Sequence, residues 1–322
     1  MHMTLTKLAG VIALPLMMIS GAAAAAGYPE KPIRIIVPYP PGGGADVMAR
    51  LVGQKLGEAW GQPVVVDNKP GADTQIGSEL VAKAPPDGYT LGIVTPTLAI
   101  NKYLYTKANY DIKDLRPVAL IASSPIFVLV NNEVPATTLP DFIALAQRNP
   151  GKFNYAGSSS ISFIAGESFK KVMGIDAKHI PYKGSAPAVA AVAGGEVQYA
   201  LDTVLVGKPL VEAGKLRALA ITARQRHPLA PDVPTALEAT GKEFEFGTWY
   251  GFVAPAAVPD DIVAKFNQEV VRILAMPDIK KRLESLGGFP MPGTPQDFAD
   301  RIRDDLARYG AIIKSTNLTA IN

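Results

Sequence analysis

Short apolar runs rich in β-branched residues alternate with amphipathic segments along almost the whole 322-residue chain. Residues 33–37 and 153–156 are mostly apolar and have the length of a buried strand; each is followed by a turn of small residues and then by apolar side chains at helical spacing. Further strands are predicted at 64–66, 91–94, 118–122, 126–130, 179–182, 197–201, 216–222 and 247–253. Such alternation favours an α/β fold in which mostly parallel sheets are flanked by helices.

A proline- and glycine-rich turn, residues 39–46, joins the first predicted strand to the first predicted helix. Gly42, Gly43 and Gly44 carry no side chain that could cover the first N–H groups of that helix. These groups lack intrahelical acceptors and lie at the positive end of the helix dipole, so they can bind an anion. A tight strand-to-helix turn that binds nothing has the same composition. The segment alone therefore predicts either a structural corner or an anion site.

The first 26 residues have the parts of a secretory signal peptide: Lys7, an apolar stretch over residues 8–18, and small residues ending at Ala26. We expect cleavage near Ala26 and a soluble periplasmic protein; the alternative is an uncleaved membrane anchor, for which the apolar stretch is short. The chain has no cysteine, which excludes disulfides and thiolate metal sites. A net charge of +3 creates no strong field toward nucleic acid or acidic membranes, so we expect neither as a partner.

The sequence lacks the common catalytic signatures. Of its three histidines, His2 lies in the signal region, and His179 and His227 lie at a strand edge and in a polar turn, where structural roles are expected. There is no Gly-x-Ser-x-Gly elbow, no phosphate-binding P-loop, and no third glycine to complete a dinucleotide fingerprint. No histidine pair has the spacing of metal ligands. These observations favour a binding protein without a cofactor or metal over an enzyme.

A second strand–turn–helix unit, with the polar turn 157–160, has the same order of elements as the first. Ligands of open α/β sheets bind outside the carboxyl ends of the strands, so two such turns predict two domains whose loops face each other across a hinged cleft. After the signal peptide at residues 1–26, we place domain 1 at residues 27–125 and 249–322, and domain 2 at residues 126–248.

The mature chain also resembles the periplasmic receptors of tripartite tricarboxylate transporters, also called Bug proteins. The motifs that carry the resemblance occur in order: PYPPGGGAD at 38–46, NKPGA at 68–72, PDGYTL at 86–91, AGE at 165–167, PYKGSAP at 181–187, GGEV at 194–197 and WYGFVAP at 249–255. The resemblance implies a two-domain Venus-flytrap fold of the periplasmic-binding-protein type. It implies a monomeric receptor that delivers a small carboxylate, aliphatic or aromatic, to two integral-membrane transporter subunits.

In such receptors, loops from both domains close on the ligand through backbone amides and ordered waters. The resemblance places one ligand loop at residues 39–46 and the facing loop at residues 157–162, with Lys183, Gly184, Ser185 and Asp202 nearby. The threonines after the 91–94 strand are candidate rim contacts. The full set of candidate ligand-binding residues is Tyr39, Pro41, Gly42, Gly43, Gly44, Ala45, Asp46, Asp73, Thr95, Thr97, Gly157, Ser158, Ser159, Ser160, Ser162, Lys183, Gly184, Ser185 and Asp202.

Two segments depart from the family pattern. Ala45 stands where threonine is common, and GADTQ at 71–75 replaces a usually glycine-rich continuation. If Asp73 faces the cleft, it repels a second carboxylate or attracts an amino or hydroxyl group; otherwise it is a solvated loop residue or a helix N-cap. Ile161 and Phe163 form either an apolar wall of the cleft or part of the core of their helix.

Two other functions remain open from the sequence. A periplasmic sensor that feeds a two-component kinase would use the same closed surface as a transport receptor. An exported enzyme acting on a small acid would need a general base in the cleft, for which Asp202 and Asp73 are the candidates.

Overall fold

The computed structural model describes residues 27–105, 107–316 and 318; the predicted signal peptide lies outside these residues. The described strands are β1 (Ile33–Val37), β2 (Val64–Asn68), β3 (Thr90–Val94), β4 (Leu115–Asn131), β5 (Phe153–Gly157), β6 (Ala177–Pro181), β7 (Tyr199–Thr203), β8 (Leu216–Ile221), β9 (Gly247–Pro255) and β10 (Phe289–Pro290). The described α-helices are α1 (Gly44–Trp60), α2 (Gln75–Ala82), α3 (Thr97–Leu104), α4 (Leu139–Arg148), α5 (Ser160–Met173), α6 (Ser185–Ala193), α7 (Val204–Glu212), α8 (Ala236–Thr240), α9 (Asp260–Ala275), α10 (Pro277–Ser285) and α11 (Pro295–Ser315).

The strands form two sheets that share β4. In the first domain, β2, β1 and β3 are parallel neighbours, β9 is antiparallel to β3 and β4, and β10 pairs with the first half of β4. In the second domain, β6, β5 and β7 are parallel, and the second half of β4 is antiparallel to both β7 and β8. Most strands of each sheet therefore run in one direction. The predicted α/β, two-domain fold with helices flanking the sheets is confirmed, although both sheets are mixed.

Strands β4 and β9 connect the two domains and lie side by side. Their pairing runs from Leu115 opposite Pro255 to Pro125 opposite Gly247. The sequence predicted two strands, 118–122 and 126–130, and this prediction is wrong, because β4 is continuous over 17 residues. Pro125 lies where β4 leaves β9 and begins to pair with the second sheet, so its missing N–H interrupts little ladder bonding.

The first strand and helix show how the sequence builds the floor of the first domain. Strand β1 is buried along most of its length, and α1 packs one apolar face with Met48, Val52 and Leu56 against the same core. Fully burying side chains of this size contributes about 1.5–3 kcal/mol each. Helix α1 ends at Gly61, whose φ of 65° is the left-handed C-cap conformation that glycine adopts without steric cost.

The helices of the described residues are all too short or too polar to span a bilayer. The sequence analysis did not predict α3, α8 or α10. Helix α3 begins at Thr97, directly after the β3 strand, so Thr97 belongs to a helix rather than to a loop at the rim.

Candidate ligand-binding site

A cleft of about 690 Å³, counting its open mouth, lies between the two domains at the carboxyl ends of the parallel strands. Several helices begin at its walls, namely α1 in the first domain and α5, α6 and α7 in the second. The crossing strands β4 and β9 form its floor. The residues that line it are Tyr39, Pro40, Pro41, Gly43, Gly44, Ala45, Thr95, Ile126, Ser158, Ser159, Ile161, Ser162, Gly184, Ser185, Ala186, Pro187, Leu201, Asp202, Thr203, Thr248 and Tyr250.

The N-terminus of α1 presents unpaired backbone donors on the first-domain side. Val47 N–H makes the first intrahelical bond, to Gly43 O at 3.1 Å, so the N–H groups of Gly44, Ala45 and Asp46 precede the helical ladder. Gly43 is the N-cap and has no side chain to cover them. The turn therefore presents backbone donors at the positive end of the α1 dipole, where an anion is favoured.

Asp46 holds this turn in place. Its Oδ2 accepts from Gly42 N–H at 3.0 Å, and its Oδ1 accepts from Asn68 Nδ2 at 2.9 Å and from the Arg50 guanidinium. Burial alone would raise the pKa of Asp46, but the hydrogen bonds from Arg50, Gly42 and Asn68 outweigh it and hold the pKa below its ordinary value. Asp46 and Gly42 thus shape the loop, and neither lines the cleft.

Tyr39 and Thr95 connect the first loop to the end of β3. Tyr39 Oη and Thr95 Oγ1 are 2.7 Å apart, and both residues line the cleft. Thr97 is fully buried behind them, where its N–H donates to Thr95 Oγ1 at 3.3 Å. Thr97 therefore positions Thr95 and does not reach the cavity.

On the second-domain side, the serine turn before α5 is partly occupied by its own bonds. Ser162 Oγ accepts from Ser158 N–H at 2.7 Å and from Ser159 N–H at 3.0 Å. Ser160 N–H donates to Asp73 Oδ1 of the first domain at 3.3 Å. Phe163 N–H makes the first helical bond, to Ser159 O, and Ser162 N–H donates to the Ser159 side chain in a capping box. Ile161 N–H is therefore the donor that α5 leaves free for another acceptor.

Helix α6 adds a third N-terminus. Ala188 N–H makes its first helical bond, to Gly184 O, so Ser185 and Ala186 offer free N–H groups and Pro187 has none. Gly184 has a φ of 107°, and a Cβ there would lie 3.3 Å from Pro40 Cγ of the opposite domain. The glycine lets the two walls of the cleft approach closely.

Asp202 is the one carboxylate among the described residues that line the cleft, and no lysine or arginine accompanies it. It is 5% exposed; its Oδ1 accepts from Thr203 N–H at 2.7 Å and its Oδ2 from the Ser158 hydroxyl at 3.2 Å. Burial raises its pKa, and the hydrogen bonds from Thr203, Ser185 and Ser158 offset only part of that effect. The floor therefore favours a ligand group that donates a hydrogen bond, or a protonated carboxyl.

Most of the candidate residues are brought together at this cleft. Those that line it are Tyr39, Pro41, Gly43, Gly44, Ala45, Thr95, Ser158, Ser159, Ser162, Gly184, Ser185 and Asp202. Those that lie outside the lining are Gly42, Asp46, Asp73, Thr97, Gly157, Ser160 and Lys183.

Two of the residues outside the lining have other surroundings. Lys183 is exposed in the turn before α6. Gly157 is needed for packing, since a Cβ there would lie 2.0 Å from His179 Nε2. The two apolar residues proposed for either the cleft wall or the helix core have different positions. Ile161 lines the cleft, whereas Phe163 packs on the His179 ring with centroids 4.8 Å apart.

The floor of the cleft was not predicted from the sequence. Thr248 and Tyr250 of β9 and Ile126 of β4 face the cavity, and they were interpreted only as strand residues. Tyr250 lies directly over the α1 N-terminus, where a Cβ on Gly44 would be 2.1 Å from its Oη. The signal available in the sequence was positional: strands that connect two domains must expose side chains to the space between them.

The described lining of the site is rich in neutral hydrogen-bond donors. Its donors are backbone N–H groups and the hydroxyls of serine, threonine and tyrosine, which bind a carboxylate through charge-assisted hydrogen bonds. His179 and His227 do not line it. The described residues also contain no cluster of three histidine or acidic side chains that could hold a metal ion.

Comparison with known proteins agrees with this geometry. Residues 48–318 match the family model described as tripartite tricarboxylate transporter family receptor. Protein BugT of Bordetella pertussis strain Tohama I is 32% identical over 321 residues, covering 98% of each chain.

Solved structures share the fold along nearly the whole chain. R. palustris Rpa4515 with adipate has a TM-score of 0.89 at 34% identity, covering 91% of this chain and 100% of that one. MatC (Rpa3494) from Rhodopseudomonas palustris with bound malate has a TM-score of 0.83 at 30% identity, covering 89% and 100% of the two chains. The resemblance to Bug proteins noted in the sequence is confirmed, and the chain belongs to the receptor family of tripartite tricarboxylate transporters.

Proposed function

We propose that this chain captures a small carboxylate-bearing metabolite in the interdomain cleft and delivers it to the two membrane subunits of a tripartite tricarboxylate-type transporter. The observation that carries the proposal is the convergence of the α1, α5 and α6 N-termini on a cleft whose described lining has no cationic side chain. Relatives of the same fold were solved with adipate and with malate, both of which are carboxylates. The family consists of receptors, which supports a binding role over catalysis.

The ligand's orientation follows from the charges of the cleft. A carboxylate would accept from the free N–H groups of Gly44 and Ala45 on one wall and of Ser185 and Ala186 on the other. The part of the ligand near Asp202 would carry a hydroxyl, an amino group or a protonated acid, because a second ionised carboxylate there would meet a buried negative charge. Ordered waters can bridge the remaining hydroxyls of the site at little loss of affinity.

The same proposal assigns the larger organisation. Residues 27–125 and 249–322 would act as one lobe and residues 126–248 as the other, closing around the ligand as a monomer. Cleavage near Ala26 would release the chain into the periplasm. Ligand binding would shift the lobes toward the closed state, and the transporter would recognise that state.

Calorimetry and thermal unfolding of residues 27–322 with malate and adipate test the proposal. At a hundredfold excess over the dissociation constant, a ligand adds about 2.7 kcal/mol to the free energy of unfolding, which raises the midpoint by roughly 5 °C for a chain of this size. If neither these two acids nor any member of a broad panel of mono-, di- and tricarboxylates raises the midpoint, the carboxylate receptor is refuted.

A matched pair of variants tests the backbone donors. Ser185 is the first residue of α6, where proline is tolerated, so Ser185→Pro removes the N–H and Ser185→Ala removes only the hydroxyl. We expect Ser185→Pro to weaken carboxylate binding by about tenfold more than Ser185→Ala, since a hydrogen bond to a charged group contributes about 1.5–3 kcal/mol. Equal affinities of the two variants would show that this donor does not contact the ligand.

A further inference from the structure

The turn before α2 has an unusual backbone. Ala72, Asp73 and Thr74 follow one another with φ values of 45°, 47° and 78°, all in the left-handed region that side chains other than glycine rarely adopt. Glycine would adopt these angles without steric cost. Strain of this kind persists where surrounding structure imposes it, and it concentrates at clamps and switches.

The consequence of this backbone is a contact between the domains. The Asp73 carboxylate contacts the second domain, where its Oδ1 accepts from Ser160 N–H at 3.3 Å. The turn is fixed from behind by Asn101 of α3, whose Nδ2 donates to Asp73 O at 2.6 Å. Ser160 is the first residue of α5, so the carboxylate lies at the positive end of that helix dipole.

We propose that Asp73 is a positioning residue for ligand capture: its carboxylate binds the N-terminus of α5 from the opposite domain and holds the two domains together before any ligand is present. The strained turn places a carboxylate where Ser160 N–H would otherwise lack an acceptor. The bond acts on domain closure rather than on the ligand, so it is independent of which acid the cleft takes.

The surroundings of Asp73 are consistent with this role. The titratable groups that face it are the phenols of Tyr39, Tyr105 and Tyr110, all from its own domain, and no lysine or arginine among the described residues contributes to its electrostatic environment. Burial raises the pKa of Asp73, and the hydrogen bonds from Ser160 and Asn101 oppose that effect. Within the described residues, the α5 N-terminus is therefore its main source of positive potential.

The test uses the ligand-free mature chain, prepared by unfolding, dialysis and refolding, with small-angle X-ray scattering as the measurement. Asp73→Ala removes the acceptor. Ser160→Pro removes the donor without breaking α5, because proline is favoured at the first helical position and Ser159, with φ −170° and ψ 172°, already has the extended backbone that a following proline requires. Each variant should shift the ratio of closed to open molecules about tenfold toward open, seen as a larger radius of gyration.

Two controls and a double variant complete the experiment. Ser160→Ala keeps the N–H and loses only the hydroxyl, so it should open the protein less than Ser160→Pro does. Asp278→Asn removes an exposed carboxylate elsewhere on the first domain and should leave the radius of gyration unchanged. Asp73→Ala combined with Ser160→Pro should open the protein no further than either change alone. The proposal is overturned if the two single variants remain as compact as the unsubstituted protein, if only one of them opens, or if their effects add.

Discussion

The close approach of Tyr250 to the start of α1 predicts that two adjacent glycines respond differently to alanine. A Cβ on Gly44 would lie 2.1 Å from Tyr250 Oη and 2.8 Å from Cζ, whereas a Cβ on Gly43 would meet only Pro40 O, at 3.8 Å. Tyr250 is 3% exposed and packs in the core of the first domain, so its ring has little room to retreat. Gly44→Ala must therefore displace either the phenol or the N-terminus of α1.

The size of the effect follows from the overlap. An ordinary contact begins near 3.4 Å, so the Gly44→Ala methyl is about 1.3 Å too close to the Tyr250 oxygen. Overpacking of this kind lowers the free energy of unfolding by about 1–3 kcal/mol. Gly43→Ala loses about 0.5–1 kcal/mol for a different reason, because alanine is a poorer N-cap than glycine. The expected losses of stability for Gly44→Ala and Gly43→Ala are similar, so the free energy of unfolding distinguishes them poorly. The interaction energy of each substitution with Tyr250 should distinguish them clearly.

Urea unfolding of a double-mutant cycle measures that coupling. Tyr250→Phe removes the atom nearest to the added methyl, so it should recover about 1 kcal/mol when combined with Gly44→Ala. Combined with Gly43→Ala, the same change should be additive within about 0.3–0.5 kcal/mol. Additivity in both pairs would mean that Gly44 is not held by its contact with Tyr250, and the account of the cleft floor would be wrong.

Three further substitutions follow from the buried groups near the cleft. The pKa of Asp202 is raised in the native protein, which therefore binds this proton more tightly than the unfolded protein does. The free energy of unfolding consequently falls as pH rises above about 3.8. In urea unfolding, Asp202→Asn should remove this pH dependence and be more stable than the unsubstituted protein at pH 7, while binding carboxylates differently. The pKa of Asp46 is lowered in the native protein, so its contribution to the free energy of unfolding is present above about pH 3.8 and is lost as pH falls through the native pKa. Asp46→Asn should lower the free energy of unfolding by about 1–3 kcal/mol at pH 7. Equal stability of the two proteins would contradict the anchoring role of Asp46. Gly157→Ala should lower the free energy of unfolding by about 1–3 kcal/mol, because the added methyl clashes with His179. His179→Ala should relieve that loss in the double variant. Unchanged stability of Gly157→Ala would contradict this role of Gly157 in packing.

Local sequence patterns predicted the parts of the fold that local physics determines. The β1 and α1 segments have the apolar spacing of a buried strand and a one-sided helix, and both form as predicted. The continuity of β4 depends on its neighbours instead. Pro125 would end a strand within a single sheet, and it is tolerated because the partner strand changes at that position.

The residues of the candidate site also differ in whether local sequence patterns could predict them. Loop residues such as Gly44 and Ser185 were predictable, because small residues at strand-to-helix turns expose helix N-termini wherever the strand ends. Tyr250 was not, since its exposure to the cleft depends on the second domain lying opposite β9. Asp73 was recognised as unusual, but its contact with Ser160 depends on a backbone conformation and a domain orientation that no local pattern specifies.

The pairing of β4 with β9 also restricts how the molecule can move. Two separate flexible connections would let the domains twist and slide in many directions, but the two crossing strands are joined by a ladder that extends to Pro125 and Gly247. The ladder ends where β4 leaves β9 for the second sheet, so the expected motion is a swing about one axis near Pro125 and Gly247. With a single path, every closure brings the same residues opposite each other, and the outer surface passes through a reproducible series of shapes. A membrane partner would then need to recognise only the angle between the two domains.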